Sequence, residues 1–497
     1  MNGIVRWSAK NTMLALMVAI GIIVFGVFKG ANLPIDAVPD VTNIQVQVVT
    51  RAPALSAQEV EYQITQPVER AMLGTPGLTQ VRSITKLGIS IVWLIFTDEV
   101  DIYFARAQVN ERLAAVREQI PSELGRPELG PIATGLGEIY MFELKPVTEQ
   151  ARSDEELRTI VEWQIGPRLR QVPGVIEVVG FGGAAKQYRV TLDPARLAAH
   201  QVSVDDVRHA LETDNRVAGG GYIEQFGEQV VLRGDARSRG LEVYPSTVVR
   251  TDESGVPLRV EQLGEVDTGP ALRQGAMTRD GRGEIVGASV LMLKGANSRE
   301  VVERVKVAIE EMKPYMPAGM AIEPYYDRAD YINRVLKTVA KNLTEGALIV
   351  VVCLLLTLGS IRAGLLVAGA IPFSLLVGLI GLDLLGYMGN VMSLGAIDFG
   401  IIVEGAVILV EHAMAHGAAE PNDKKRRAGI LHSIEEVTRP ALFGVFITVL
   451  VFLPLATLED VEGKMFRPVV FSLRFMLLGS IIYGVVVIPA LAPRILK

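Results

Sequence analysis

Three acidic residues sit in one apolar run between Asn390 and Glu411: Asp398, Glu404 and Glu411. An ionisable group at mid-bilayer costs roughly 2.5–3.5 kcal/mol on insertion scales. Three in a single segment long enough to cross a membrane point to something charged that crosses there. Burial raises a carboxyl's pKa and keeps it neutral when no cation is near. The chemistry offered is therefore proton loading on one side and release on the other. At ~1.5 Å per residue from Val391, Asp398 falls about 10 Å in, Glu404 about 20 Å in and Glu411 near the inner edge. Glu404 and Glu411 are seven residues apart and share a helix face, whereas Asp398 is turned about 120° from them. Such spacing is too long for direct proton transfer, so a relay needs water or carboxyls from other spans. Gly395, Gly400 and Gly405 would let neighbouring helices approach. The plainer reading is that these acids only pair with polar groups between helices. Asp383 reads as interfacial. Arg474 either pairs with a span-four acid or snorkels to the outer edge, and snorkelling is the expectation.

These residues need a membrane bundle to hold them. The chain has 497 residues, 49% of them hydrophobic, and a net charge of −6. Six stretches reach the ~20 apolar residues of a span, near 11–30, 341–358, 363–385, 390–411, 439–458 and 470–492. The first is followed by Lys29 and Gly30, not by a small-residue cleavage site, and reads as an uncleaved anchor. Arg6, Lys10, Arg362, Lys424, Lys425, Arg426, Arg427, Arg494 and Lys497 fall on one side if the six spans alternate. That side is cytoplasmic by the positive-inside rule. The segment 31–338 then faces outward, into the periplasm of a Gram-negative cell. The single cysteine, Cys353, excludes an intrachain disulfide and a CxxC metal site. No basic tract suggests nucleic acid, and no Walker lysine loop, GxSxG or HExxH suggests an enzyme.

The outer segment carries an internal echo. PVERAMLGTPGLTQVRS from Pro67 and GPRLRQVPGVIEVVG from Gly166 each run from an amphipathic helix through Pro-Gly into a β-rich stretch. The pattern predicts strand 44–51, helix 56–73, strand 79–97 and helix 101–119. It then predicts strand 138–145, helix 153–171, strand 175–191, strand 285–294 and helix 297–313. Two α+β subdomains of ferredoxin-like, β-α-β character fit this order. Between them lies an insert with a helix at 203–212 and a protruding hairpin, GGGYIEQFGEQVVLRG.

The runs LPIDAVPDVTNIQVQVVT, ATGLGEIY, MSLGAIDFGIIVEGAVILVE and EGKMFRP together resemble the resistance-nodulation-cell division (RND) superfamily, in its heavy-metal efflux branch. The likeness covers the whole chain in order. It implies a proton-driven, trimeric inner-membrane pump working with a periplasmic adaptor and an outer-membrane channel. Complete members have two homologous halves with twelve spans, so this chain resembles the N-terminal half. The resemblance implies that the missing C-terminal half holds most of the main metal pocket and the spans facing Asp398 and Glu404. The expected organisation is 1–30 for the N-terminus and first span, 31–135 for a first porter subdomain, and 136–181 with 273–338 for a second. A docking insert occupies 182–272, its hairpin reaching a neighbouring protomer, and 339–497 holds spans two to six. Asp398, Glu404 and Glu411 match the branch's acidic trio, whose middle position is usually Asp. Glu404 keeps the carboxyl and extends it by one methylene.

No cofactor is expected; protons are the coupling ion and a metal cation is the substrate. In the cobalt-zinc-cadmium branch the run around Glu138 is similar, whereas the copper-silver branch usually has Trp there. Glu138, at a strand start, is thus a candidate metal ligand, and zinc the first expectation among divalent cations. His412 and His416 have metal-ligand spacing but border a basic loop, and Met388 with Met392 reads as helix packing. A Cu(I)/Ag(I) pump and a drug pump are the alternatives within transport. Drug pumps usually carry adjacent aspartates where this chain has Asp398 followed by Phe399. An alternative of another class is a membrane-anchored binding or assembly module that transports nothing.

Overall fold

The computed structural model describes residues 2–496 apart from Ala37, Ala54, Ser122, 148–151, Arg216, 236–239, 252–254, Leu272, Gln274, Arg282, Ala318, 396–398 and 418–421. A short helix α1 (Asn2–Lys10) leads into α2 (Thr12–Asn32). The chain leaves α2 through a two-residue strand β1 (Ile35–Asp36) and enters the first α+β unit. There β2 (Ile44–Arg51), β3 (Leu78–Lys86), β4 (Ile89–Phe96) and β5 (Pro127–Leu129) form an antiparallel sheet in the order β3-β4-β2-β5. Val46, Val48, Val92 and Leu94 alternate onto one face of that sheet. They are covered by the helical stretch 57–72, through Ile64 and Val68, and by helix Ile102–Gln119, through Val109 and Leu113.

The second unit repeats the plan in the same strand order, with the insert added between its second and third strands. β6 (Glu138–Pro146), β7 (Val175–Phe181), β8 (Gly287–Met292) and β9 (Met320–Asp327) pair antiparallel in the order β9-β6-β8-β7. The helical stretch 154–169 and α3 (Ser298–Met312) cover one face through Ile165, Leu169, Val302 and Val305. Between β7 and β8 lies the insert. Its small core joins Val202, Val207, Val260 and Leu263, and the hairpin Val217–Gln225/Glu228–Asp235 projects from it with every described residue exposed.

Two expected strands are each divided. The run 79–97 is a hairpin, β3 and β4, turned at Leu87–Gly88 with Gly88 at φ +70°. The run 175–191 splits into β7 and the strand Lys186–Leu192, which pairs with Gly264–Pro270 in a separate sheet. A continuous β-rich sequence does not mark a turn that needs only one glycine.

The membrane-type helices follow: α4 (Arg328–Leu358), then Ile361–Ala368, α5 (Ala370–Leu384), strand β10 (Gly389–Asn390), α6 (Val391–Gly395), α7 (Phe399–Gly417), α8 (Asp423–Val451) and α9 (Asp460–Ile482). Among the described residues five helices, not the expected six, are long and apolar enough to cross a membrane: Thr12–Asn32, Arg328–Leu358, Ile361–Leu384, Asp423–Thr457 and Asp460–Ile495. The expected fourth span, 390–411, includes 396–398, which lie outside the described residues; α6 and α7 are described on either side of them. α5 and α9 pack through glycines. A Cβ on Gly381 would clash with the Phe475 ring, and one on Gly378 would lie 2.5 Å from Met476.

Three helical stretches widen into one π turn each: Glu61–Thr65, Val161–Ile165 and Tyr483–Val487. In each, a proline follows two residues later: Pro67, Pro167 and Pro489. A proline in a helix lacks its N–H and its ring meets the carbonyl four residues back. Widening the preceding turn, so that the Gln66, Gly166 and Ile488 amides bond five residues back, makes room without breaking the helix.

The α5–α9 contact generates a test. Gly381→Val should lower the thermal stability of the detergent-solubilised protein, as overpacking by about 1–3 kcal/mol would. Adding Phe475→Ala should recover part of the loss; no recovery would show that the contact is not what limits the packing.

Candidate functional site

α7 carries two of the three acids on its open side. Gly400, Glu404, Ile408, Glu411 and Ala415 are exposed, a stripe at three- and four-residue spacing. Ile402, Val403, Ala406, Leu409, Val410 and Ala413 form the opposite, buried side. Glu404 and Glu411 therefore share one face, as their spacing predicts. Among the described residues neither makes a hydrogen bond or ion pair. Asp398 lies outside the described residues. Gly405 allows a close approach, since a Cβ there would lie 3.3 Å from Val445 of α8, whereas Gly395 faces open space and packs no neighbour. Hydroxyls fix the buried side: Ser480 donates to the Ile402 carbonyl, and Ser472 donates to the Ser393 carbonyl at 3.3 Å.

The neighbouring charges are accounted for. Asp383 of α5 pairs with Lys29 of α2 at 2.7 Å. Arg474 lies 5.4 Å from the centroid of the Phe471 ring, itself stacked on Tyr387, and its Nε and Nη2 are buried without a hydrogen-bond partner. It stacks, where the sequence suggested snorkelling. His412 sits 3.6 Å from Glu436, a carboxylate of α8; the His416 side chain lies outside the described residues. Arg6 of α1 forks onto the buried Glu435 carboxylate at 2.7 and 2.8 Å.

Glu138 opens β6 and lines a cavity of about 790 Å³ with Met141, Arg158, Arg273, Met277 and Tyr325. The two arginines are already engaged. Arg158 donates to Glu162 at 2.6 Å and to the Gly182 carbonyl at 3.1 Å, and Arg273 is paired with Glu284. Glu138 has no ion pair among the described residues, so its charge is free to act on the cavity. Burial first, and then the charge of Glu138, push the Tyr325 phenol above its ordinary value. The Arg279 guanidinium covers the Tyr325 ring at 5.8 Å from its centroid. Among the described residues no three His, Cys, Asp or Glu converge to hold an ion. The methionines Met141 and Met277 were not singled out in the sequence. They stand far apart in the chain, and only the folding of 273–286 against β6 and β7 brings them together.

The profile of the AcrB/AcrD/AcrF family matches residues 4–497. The chain belongs to this family, within the RND superfamily. Protein HelA of Legionella pneumophila is 42% identical over 98% of the chain and 47% of its own length. The cobalt-zinc-cadmium resistance protein CzcA of Cupriavidus metallidurans is 40% identical over the same shares. The cation efflux system protein CusA of Escherichia coli K12 is 35% identical. A crystal structure of a heavy metal efflux pump superposes with a TM-score of 0.87 at 32% identity, over 98% of this chain and 48% of that one. The chain spans about half the length of the curated relatives it matches.

The Glu138–Tyr325 contact is testable by titration. Glu138→Gln should lower the Tyr325 pKa, yet leave it above the ordinary value of about 10 because burial remains. The difference titration against Tyr325→Phe, read by tyrosinate absorbance, checks it. The folded phenol keeps its proton to higher pH than the unfolded one. Its contribution to stability is therefore complete below about pH 10 and is lost as pH rises through the folded value.

Proposed function

We propose that this chain is the N-terminal half of a proton-driven inner-membrane pump that exports heavy-metal cations from the periplasmic side, zinc first among them. The observation that carries the reading is the open stripe of α7. Glu404 and Glu411 project from a helix whose other side is packed into the bundle, and among the described residues no cation pairs with them. A carboxyl facing a second set of helices can be neutral when protonated and paired when not. We propose Asp398, Glu404 and Glu411 as the relay, with the facing wall supplied by the other half. The protein would be a secondary transporter, not an enzyme. Its Lys- and Arg-rich loops would be cytoplasmic and 31–338 periplasmic, divided as expected into two porter subdomains and a docking insert. A homotrimer with adaptor and outer-membrane channel completes the assembly.

Glu138 is the proposed metal contact within this half, because its carboxylate faces a cavity whose arginines are already paired. Zinc accepts carboxylate ligands, and the cobalt-zinc-cadmium relative supports that choice. The thioethers of Met141 and Met277 in the same cavity support a second reading, export of Cu(I) or Ag(I), since soft ligands favour those ions.

Vesicles bearing the whole pump should move Zn²⁺ when a pH gradient is imposed, and Glu404→Gln should remove nearly all of that flux. Transport by Glu404→Gln at the parent rate would end the relay role. Calorimetric Zn²⁺ titration of the chain tests the contact separately: Glu138→Gln should weaken binding by roughly tenfold or more. Stronger binding of Cu(I) than of Zn²⁺, lost in Met141→Leu, would favour the second reading.

A further inference from the structure

The segment that carries Glu138 is tied to the outer end of the acidic helix by one buried ion pair. Asp36 lies in β1, and β1 runs parallel to β10, with Asp36 opposite Asn390. Asn390 is buried and caps α6: its Oδ1 accepts from the Ser393 amide at 2.8 Å, and the Ser393 hydroxyl accepts from the Asn390 amide at 3.0 Å. The Asp36 carboxylate accepts from Arg328 Nη2 at 2.9 and 3.0 Å and from Nε at 3.2 Å, and also from the Ser298 hydroxyl at 3.3 Å. Arg328 is 5% exposed. Its remaining nitrogen, Nη1, donates to the Leu136 carbonyl, two residues before Glu138. The Gly137 carbonyl in turn accepts from the Met292 amide at 2.7 Å.

Arg328 is also the first residue of α4, an unbroken helix of 31 residues. Eighteen residues further on, about 27 Å along the axis, Gly346 packs 3.7 Å from the Phe399 ring at the start of α7, measured from an ideal Cβ. The same guanidinium is thus joined to α6 through β1 and β10, is joined to α7 through the α4 rod, and holds the backbone before Glu138. A shift of α7 against α4 cannot leave Arg328 in place without breaking a contact or carrying residues 134–138 along.

We infer that Arg328, gripped by Asp36, is a positioning residue that links the state of the α7 carboxyls to the placement of Glu138 in its cavity. This rests on the proton-coupled reading of Glu404. Lysine at 328 keeps a cation for Asp36, but a single ammonium does not reproduce the guanidinium fork that reaches both the carboxylate and the Leu136 carbonyl.

Amide hydrogen exchange of residues 132–138, read by mass spectrometry on the full chain in lipid nanodiscs, tests the link. Glu404→Gln should change that exchange by about fivefold or more, the low end of ordinary coupling. In an Arg328→Lys background the change should vanish while α4 keeps its protection. If α4 loses protection, Asp36→Asn, which keeps the shape and removes the charge, takes the same place with the same readings. A Glu404→Gln response that persists in the folded variant, or no response in the parent chain, overturns the link. Lost transport without an exchange response would sink the link and spare the relay. An exchange response erased by Arg328→Lys, with transport intact in Glu404→Gln, would do the reverse.

Discussion

A guanidinium and a carboxylate taken out of water tie the strand that leaves α2 to the starts of α3 and α4. Removing such ions from solvent costs several kcal/mol each, and their attraction compensates only when the remaining donors and acceptors are also satisfied. At Arg328 and Asp36 they are. The fork is bidentate, Ser298 supplies a further donor, and the Leu136 carbonyl takes the last nitrogen. The chain that leaves α2 must therefore pass between the starts of α3 and α4. That passage fixes β1, β1 fixes β10, and β10 fixes the entry to the acidic helix.

The bundle itself is asymmetric. On one side, glycines of α5 let α9 approach until side chains fill the space where a Cβ would be. Hydroxyls there use backbone carbonyls, Ser480 to Ile402 and Tyr483 to Leu366, which satisfies them without water. On the other side, α7 turns two carboxylates outward. Ser480 and Tyr483 are thus paired within the chain, whereas among the described residues Glu404 and Glu411 are not.

Much of this was legible in the sequence. Apolar length located the membrane helices, and seven-residue spacing placed Glu404 and Glu411 on one face. The Pro-Gly echo located the two repeated α+β units. What escaped has physical causes. Arg328 reads as an ordinary helix-start residue; its partner is 292 positions away, and no local pattern encodes the pairing. Asp383 reads as an interfacial charge, yet it meets Lys29 of another helix. The hairpin at Leu87–Gly88 was missed because both of its strands are equally β-rich.

The π turns have a consequence for how this chain tolerates change. Each adds one residue to a helix without unwinding it, and so shifts the angular phase of everything downstream by about 100°. Val68 and Met72, both fully buried, reach the core only because the phase has already been advanced at 61–65. The same holds for Leu169 after 161–165. These helices are locked in residue count. Their side chains can drift over time, but a single-residue deletion would rotate the core face toward solvent and press the proline back onto its carbonyl.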